Sequence, residues 1–390
     1  MPPAYTAAQE VVRRVQPHYA RHLAAAGRTT GSPAGASLAC WGENQALAAL
    51  PGNDVMAAII DAAFWTSLRR EEGFVPRISL AFLRPERSAS PLFFAQPIPL
   101  APEALTRVAP AVERPGIHLG VWNNAEELSV WGTTRSLPPY CFVLEVVSPG
   151  VLVLKHSPGS DSGKFGNVAV LEGDQIKILA ESSDMPEHCP ARVHSLLEIG
   201  SPSDPEAAHN PLPELAVSMR AHRRGGALII VPDGSSEWLE SIHSVSYPVD
   251  PPFVELAELV KSSSSERTGS RWKRCFQRAV DAMAGLTAVD GATVITHDYR
   301  LLAFGAKIRR RADFPPVEKV LLTEPVENAD AQAIDAAQLG GTRHLSAAQF
   351  AQDQHDACAL VASQDGRFTL LAWSDCDAMV HAHRIETLLM

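Results

Sequence analysis

Paired cysteines are the first thing this chain lacks. Its six cysteines (40, 141, 189, 275, 358 and 376) are dispersed, and no two form a Cys-x-x-Cys pair. That spacing excludes a zinc ribbon or a disulfide framework and predicts reduced, buried thiols. No apolar run approaches the roughly 18 residues that a spanning helix needs. The opening Met1-Pro2-Pro3-Ala4-Tyr5 has neither the basic nor the apolar region of a secretion signal. A cytoplasmic chain without membrane insertion is the expectation. Positive charge is also short, with 34 Lys+Arg against 44 Asp+Glu and a net charge of −10. This argues against a polyanionic partner such as DNA. Internal repeats are absent too.

What remains is a globular composition. With 46% hydrophobic and 20% charged residues over 390 positions, the chain has material for two or three domains. Residues 4–26 and 54–72 have helical periodicity, and in the second Met56, Ile59, Ile60, Ala63, Phe64, Ser67 and Leu68 share one face. From about 75 to 180 the pattern changes to short strands around turns. His118–Trp122 and Leu128–Trp131 flank Asn123-Asn124; Phe142–Val147 and Val151–Lys155 flank Ser-Pro-Gly; Val168–Leu171 and Ile176–Leu179 flank Glu-Gly-Asp. The N-terminal region, 1–260, therefore reads as α+β with antiparallel strands. The run Ala227–Val231 suits a strand buried on both faces.

The stretch 261–270, Lys-Ser-Ser-Ser-Ser-Glu-Arg-Thr-Gly-Ser, reads as a linker and places a domain boundary there. Residues 271–390 then read as an α/β domain with a mixed sheet flanked by helices. Trp272, Cys275, Phe276, Ala279, Val280 and Met283 form a helix stripe. Thr287–Thr296 and Leu301–Ile308 form a hairpin, as do Ala357–Ser363 and Arg367–Trp373. A helix starts at Gly341, with Thr342 as a candidate cap.

Two apparent motifs fail. Gly159-Ser-Asp-Ser-Gly163-Lys164 has three residues between its glycines where a phosphate loop has four, and Phe165 replaces the magnesium-binding hydroxyl. Glu187-His188-Cys189 with His194 sits between prolines and reads as an ordinary loop. His381 and His383 read as a solvated pair.

Three short segments of the last domain carry chemistry. Asp290-Gly291-Ala292 places a carboxylate in an apolar strand, which costs free energy unless the group is paired or metal-bound; the glycine admits a ligand or another backbone. Gly340-Gly341-Thr342-Arg343-His344 opens a helix, where the dipole and free N–H groups favour an anion. Ser363-Gln364-Asp365-Gly366 closes a strand.

In this order the segments resemble the diadenylate cyclase domain, which joins two ATP molecules into cyclic di-AMP. Family members carry Asp-Gly-Ala, Gly-Thr-Arg-His-Arg and Ser-Glu, here Asp290-Gly291-Ala292, Gly341-Thr342-Arg343-His344 and Ser363. The resemblance implies that Asp290 serves a divalent metal (Mn or Mg) and the ribose 3′-hydroxyl. It implies that Thr342, Arg343 and His344 bind phosphate and that Ser363 lines the pocket. It also implies a homodimer. The departures are specific. Leu345 stands where the second arginine belongs, Gln364 follows the serine in place of an acid, and the stretch from Asp290 to Gly341 is longer. One missing charge-assisted contact is worth about 1.5–3 kcal/mol, or roughly 10- to 100-fold in rate if it acts in the transition state.

The segments His118–Trp122, Leu128–Gly132, Phe165-Gly166 and Gly225–Val231 resemble the sensor-like regions found ahead of variant cyclase domains. The expectation is a degenerate cyclase that binds cyclic di-AMP as a receptor and needs no cofactor; the alternative is an active cyclase using Mn or Mg, with Lys307 or Arg309 replacing the missing arginine. From Arg267 to Lys319 the chain holds 11 Lys/Arg against 5 Asp/Glu, a basic stretch suited to a small anion, and Arg309-Arg310-Arg311 could stand at the mouth of the pocket.

Overall fold

Alternation along the strands sets the architecture of the first half of the chain. In a computed structural model, residues 4–29, 48–124, 127–157, 165–179, 210–267 and 269–390 are described. They fall into two compact units, one ending at Leu179 and one from Asn210 onward.

The first unit has helices α1 (Ala7–Thr29), α2 (Asn53–Ser67), which stops short of the exposed Leu68 expected on its inner face, and α3 (Pro102–Val112). Its strands are β1 (Ser79–Phe82), β2 (Pro91–Pro99), β3 (His118–Asn124), β4 (Glu127–Thr134), β5 (Phe142–Ser148), β6 (Val151–His156), β7 (Gly166–Glu172) and β8 (Gln175–Ile178). They make one sheet in the order β2-β4-β3-β1-β5-β6-β7-β8. Only β1 and β3 run parallel; the remaining neighbours are antiparallel. Leu80, Phe82, Phe142 and Leu144 pack with Val11, Val15, Ile59 and Ile60 of the helices. Their alternates Ala81, Leu83, Cys141 and Val143 pack on the opposite face with Trp131. The period of two thus separates a large helical core from a small one.

The second unit contains α4 (Leu212–Ala221), β9 (Gly226–Val231), β10 (Ile242–Phe253), α5 (Glu255–Lys261), α6 (Ser264–Arg267), α7 (Ser270–Leu286), β11 (Ala292–Thr296) and β12 (Leu301–Ile308). After these come β13 (Lys319–Thr323), β14 (Gln332–Asp335), α8 (Thr342–Asp353), β15 (Cys358–Ala362), β16 (Phe368–Ser374) and β17 (Met379–Arg384). The mixed sheet runs β10-β12-β11-β9-β15-β16-β17-β13-β14. Helices α4, α5 and α7 pack on one face and α8 on the other, a three-layer α/β arrangement. The Trp272 stripe is buried as its spacing requires except at Cys275, which is half-buried, and the Trp272 and Phe276 rings stack 4.8 Å apart.

Four expectations change. The units part near residue 180, and 261–270 lies inside the second unit. Arg267 donates to the carbonyls of Ser262 (2.8 Å) and Val260 (2.9 Å), and Trp272 donates to Leu259 (3.1 Å). These bonds order a stretch whose composition reads as flexible. Strand β9 belongs with the C-terminal sheet, paired to β11 on one side and β15 on the other. Cys376 is exposed, whereas Cys141 and Cys358 are buried. His381 and His383 are buried, because β17 lies between β16 and β13. His381 Nε2 meets Asp377 at 2.8 Å and His383 Nδ1 meets Thr323 Oγ1 at 2.5 Å. Glu187 to His194 and most of the Gly159 loop lie outside the described residues. Among the described residues no helix is long and apolar enough to cross a membrane.

Two predictions follow from this packing. A Cβ on Gly120 would sit 2.1 Å from the Trp131 ring, whose Nε1 donates to the Leu83 carbonyl at 2.8 Å. Gly120→Ala should destabilise the first unit by about 1–3 kcal/mol, seen in calorimetry as a lower melting transition. Burial pushes the His383 imidazole down to about 3. The unfolded chain therefore binds a proton first, so stability is complete above about pH 6.5 and falls as pH drops towards 3, by at most roughly 1.4 kcal/mol per pH unit. Urea midpoints between pH 7.5 and 4.5 should show this slope, and His383→Asn should flatten it.

Candidate functional site

Three segments far apart in sequence meet where β9 begins. Register sets Ala292 opposite Ala227 and Val361 opposite Ala227 on the other side. The turns before β9 and β11 and after β15 therefore share one end of the sheet. Gly225, with φ +70°, closes the turn after α4. A Cβ there would lie 3.2 Å from Arg343 Nη1 and 3.4 Å from Gln364 Cγ. The glycine thus makes room for the guanidinium. Gln364 Nε2 donates to the Arg224 carbonyl at 3.3 Å, tying the third segment to the same corner.

Asp290 precedes β11 instead of lying inside it, and its side chain is 89% exposed. Exposure removes the burial cost that the sequence pattern had attached to it. Lys307 Nζ donates to its Oδ2 at 2.5 Å. That bond, then the Lys307 charge, and more weakly the Arg343 charge, hold the carboxyl below its usual range. The glycine beside it serves the fold. Gly291 has φ +113°, and a Cβ would stand 2.6 Å from the Gly305 carbonyl carbon. Gly305, itself at φ +68°, marks the bulge between β11 and β12. The backbone that comes close here is that of β12. Ala292 is the first, buried residue of β11.

At the start of α8, Gly341 occupies the N-cap with no side-chain cap bond, so Thr342 is the first helical residue and exposed. Arg343 is half-buried on the open side. His344, about 100° further round the helix, turns inward. It is 2% exposed, its ring lies against Gly340, and its Nε2 has no hydrogen-bond partner. Burial lowers its pKa, so it adds no positive charge to the corner. Ser363 bonds the Asp365 carboxylate within the turn after β15. Leu345, where the resemblance calls for arginine, is 39% exposed.

The structure therefore brings Asp290, Arg343 and the Gln364 turn together with Lys307, one of the two basic residues expected to stand in for the missing arginine. Lys307 stands two positions before the Arg309 triplet, on β12, the strand paired with β11. The triplet itself goes elsewhere. Arg311 pairs with Glu240 at 2.6 Å and Arg309 donates to the Glu240 carbonyl at 3.2 Å. Among the described residues no group of three His, Cys, Asp or Glu side chains could hold a metal. Asp290 offers a single carboxylate, engaged by an ammonium; a divalent ion there would rely on nucleotide phosphates and water for its other ligands.

Lys307→Ala should raise the Asp290 titration towards the ordinary carboxylate range, and Arg343→Ala should raise it less. Carboxyl-carbon NMR titration of the full chain reads both shifts.

Residues 45–135 match the model of a family described as a probable sensor domain, DACNV. The match includes His118–Trp122 and Leu128–Gly132, and leaves Phe165-Gly166 and Gly225–Val231 outside. Comparison with curated proteins gives no match. Among solved structures, the chain is similar to a hypothetical membrane spanning protein from Bacillus cereus, at 12% identity over 49% of this chain and 70% of that one, with a TM-score of 0.25. It is also similar to a double mutant of DacA from Staphylococcus aureus, at 12% identity over 50% of this chain and 89% of that one, with a TM-score of 0.24. Superpositions this shallow fix neither fold nor function.

Proposed function

We propose that this chain is a cyclic di-AMP receptor, with the ligand held at the Asp290–Lys307–Arg343 corner of the second unit and the sensor-like first unit coupled to it. The observation that carries this reading is the occupied carboxylate: Asp290 is paired with Lys307 at 2.5 Å beside Arg343. A cyclase asks that aspartate to serve a metal. A receptor asks the corner for cations, and two are present.

The chemistry follows from the groups. The planar fork of Arg343 suits two phosphate oxygens. The Lys307–Asp290 pair is exposed, and such pairs contribute little to stability. An incoming phosphate can therefore take the ammonium at small cost, leaving the carboxylate to accept a ribose hydroxyl. Leu345 and Gln364 remove one phosphate contact and one acid from the pattern of the cyclases that the chain resembles. A two-fold symmetric ligand suits a homodimer, and the receptor requires no cofactor.

Calorimetric titration of the full chain with cyclic di-AMP tests the proposal. Binding is expected, with Arg343→Ala weakening it about 10- to 100-fold, the equivalent of one charge-assisted contact. No binding at high micromolar ligand, or an unaffected Arg343→Ala variant, would sink it. The second reading, an active cyclase using Mn or Mg, rests on the retained aspartate. It is established if ATP and Mn²⁺ yield cyclic di-AMP that disappears in Asp290→Asn.

A further inference from the structure

The opposite end of β9 has its own cavity. Thr296 pairs with Val231, the last residue of β9, so Pro232 emerges at the end away from Asp290. A cavity of about 350 Å³ opens there, between the segments carrying Glu237 and Trp238, Arg311 and Phe314, and Asp353 and Gln354. Its size is in the range of small-molecule sites. None of its lining residues belongs to the cyclic di-AMP corner.

Two of its buried lining side chains, Asp353 and Gln354, carry acceptor oxygens. Asp353, the last residue of α8, is 2% exposed. Its carboxylate accepts the Arg311 backbone N–H at 2.6 Å, Gln349 Nε2 at 2.7 Å and the Ser241 hydroxyl. A carboxylate has about four lone-pair positions, so one is open. Gln354 donates its amide hydrogens to the Glu237 carbonyl at 3.2 Å and to Ser241 Oγ at 2.9 Å, which leaves its oxygen as an acceptor. The cation of the site is engaged: Arg311 is held by Glu240 at 2.6 Å and lies over the Phe314 ring at 4.9 Å. The lining carries three carboxylates, Glu237, Asp353 and Asp356, against the one guanidinium of Arg311, with the charge of Arg310 also acting on Asp353, so acidic groups predominate. Trp238 and Phe314 supply apolar and aromatic wall.

We propose that this cavity is a second ligand site, which takes a small ammonium compound with an apolar or aromatic body. An ammonium supplies donors to the open acceptors of Asp353 and Gln354 and compensates a buried carboxylate. Its body replaces water against Trp238 and Phe314. An anionic ligand meets the opposite balance, so the site discriminates against the nucleotide bound at the other end.

Tyramine and 4-hydroxyphenylacetate, which share a body and differ in the sign of their charge, are the probes. Isothermal titration of the full chain should show tyramine binding and no binding of the anion. Asp353→Asn should weaken tyramine at least tenfold. Because Asp353 also holds Arg311 and Gln349, the surface double variant Glu237→Gln/Asp356→Asn is the companion test. It should fold normally and weaken tyramine several-fold. Arg343→Ala should leave tyramine binding unchanged, so failure here is distinct from failure at the nucleotide corner. Absence of tyramine binding up to about 5 mM, a free energy near −3 kcal/mol, overturns the proposal. So does equal binding of the anion, or a double variant that binds as the parent does.

Discussion

The backbone groups of β9 are hydrogen-bonded to β11 on one side and β15 on the other, and every one of its side chains is buried. Ala-Leu-Ile-Ile-Val has no polar atom to place, so it can lie only between two covered faces. Leu228 and Ile230 enter the layer with α4 and α7, while Ala227, Ile229 and Val231 enter the layer with α8. This strand sets the height at which its neighbours start and stop. The Asp290 turn and the Gln364 turn meet because each adjoins a strand registered against it, and α8, packed on the same sheet, brings Arg343 to the Gly225 turn beside them. The acceptor-lined cavity lies where the same strand ends.

The two ends of β9 then differ in charge for structural reasons. At its start, half-exposed cations stand beside an exposed carboxylate, a combination that solvent screens and ligands can rearrange. At its end, a carboxylate is buried under three donors, and its partners are fixed by the fold. One end is suited to exchanging ions, the other to holding a complementary one.

Much of this was legible in the sequence where local pattern and tertiary demand agree. The hairpin around Gln364-Asp365, the Trp272 stripe apart from Cys275 and the buried run at 227–231 form as their periods require, while Asn123-Asn124, expected as a turn, extend β3 and pair with Leu128 and Glu127. The serine-rich stretch misled because flexible composition does not determine order: Arg267 and Trp272 tie it down through carbonyls that no motif encodes. Asp290 misled in the other direction. Its apolar neighbours implied a buried carboxylate, yet the strand begins two residues later and leaves it in solvent. His344 reads like Arg343 in a motif, but on a helix adjacent residues face apart. The burial of His381 and His383 depended on β13 covering the last strand, a pairing with 60 residues between Thr323 and His383.

The placement of β9 also orders events during synthesis. Ala227 must wait for Ala292, and then for Val361, before both sides of its strand are paired. Among the described residues the sheet of the first unit ends at β8 and takes no strand from beyond Ile178. It can complete its hydrogen bonds while the ribosome still holds most of the second. During that interval the apolar 227–231 segment presents an unpaired edge of the kind that nucleates aggregation. A chain cut in the serine-rich stretch keeps this hazard permanently, since the fragment carrying β9 has lost both of its neighbours. The apparent linker is thus a poor place to divide the protein, and a translation pause placed there would leave the strand unpaired.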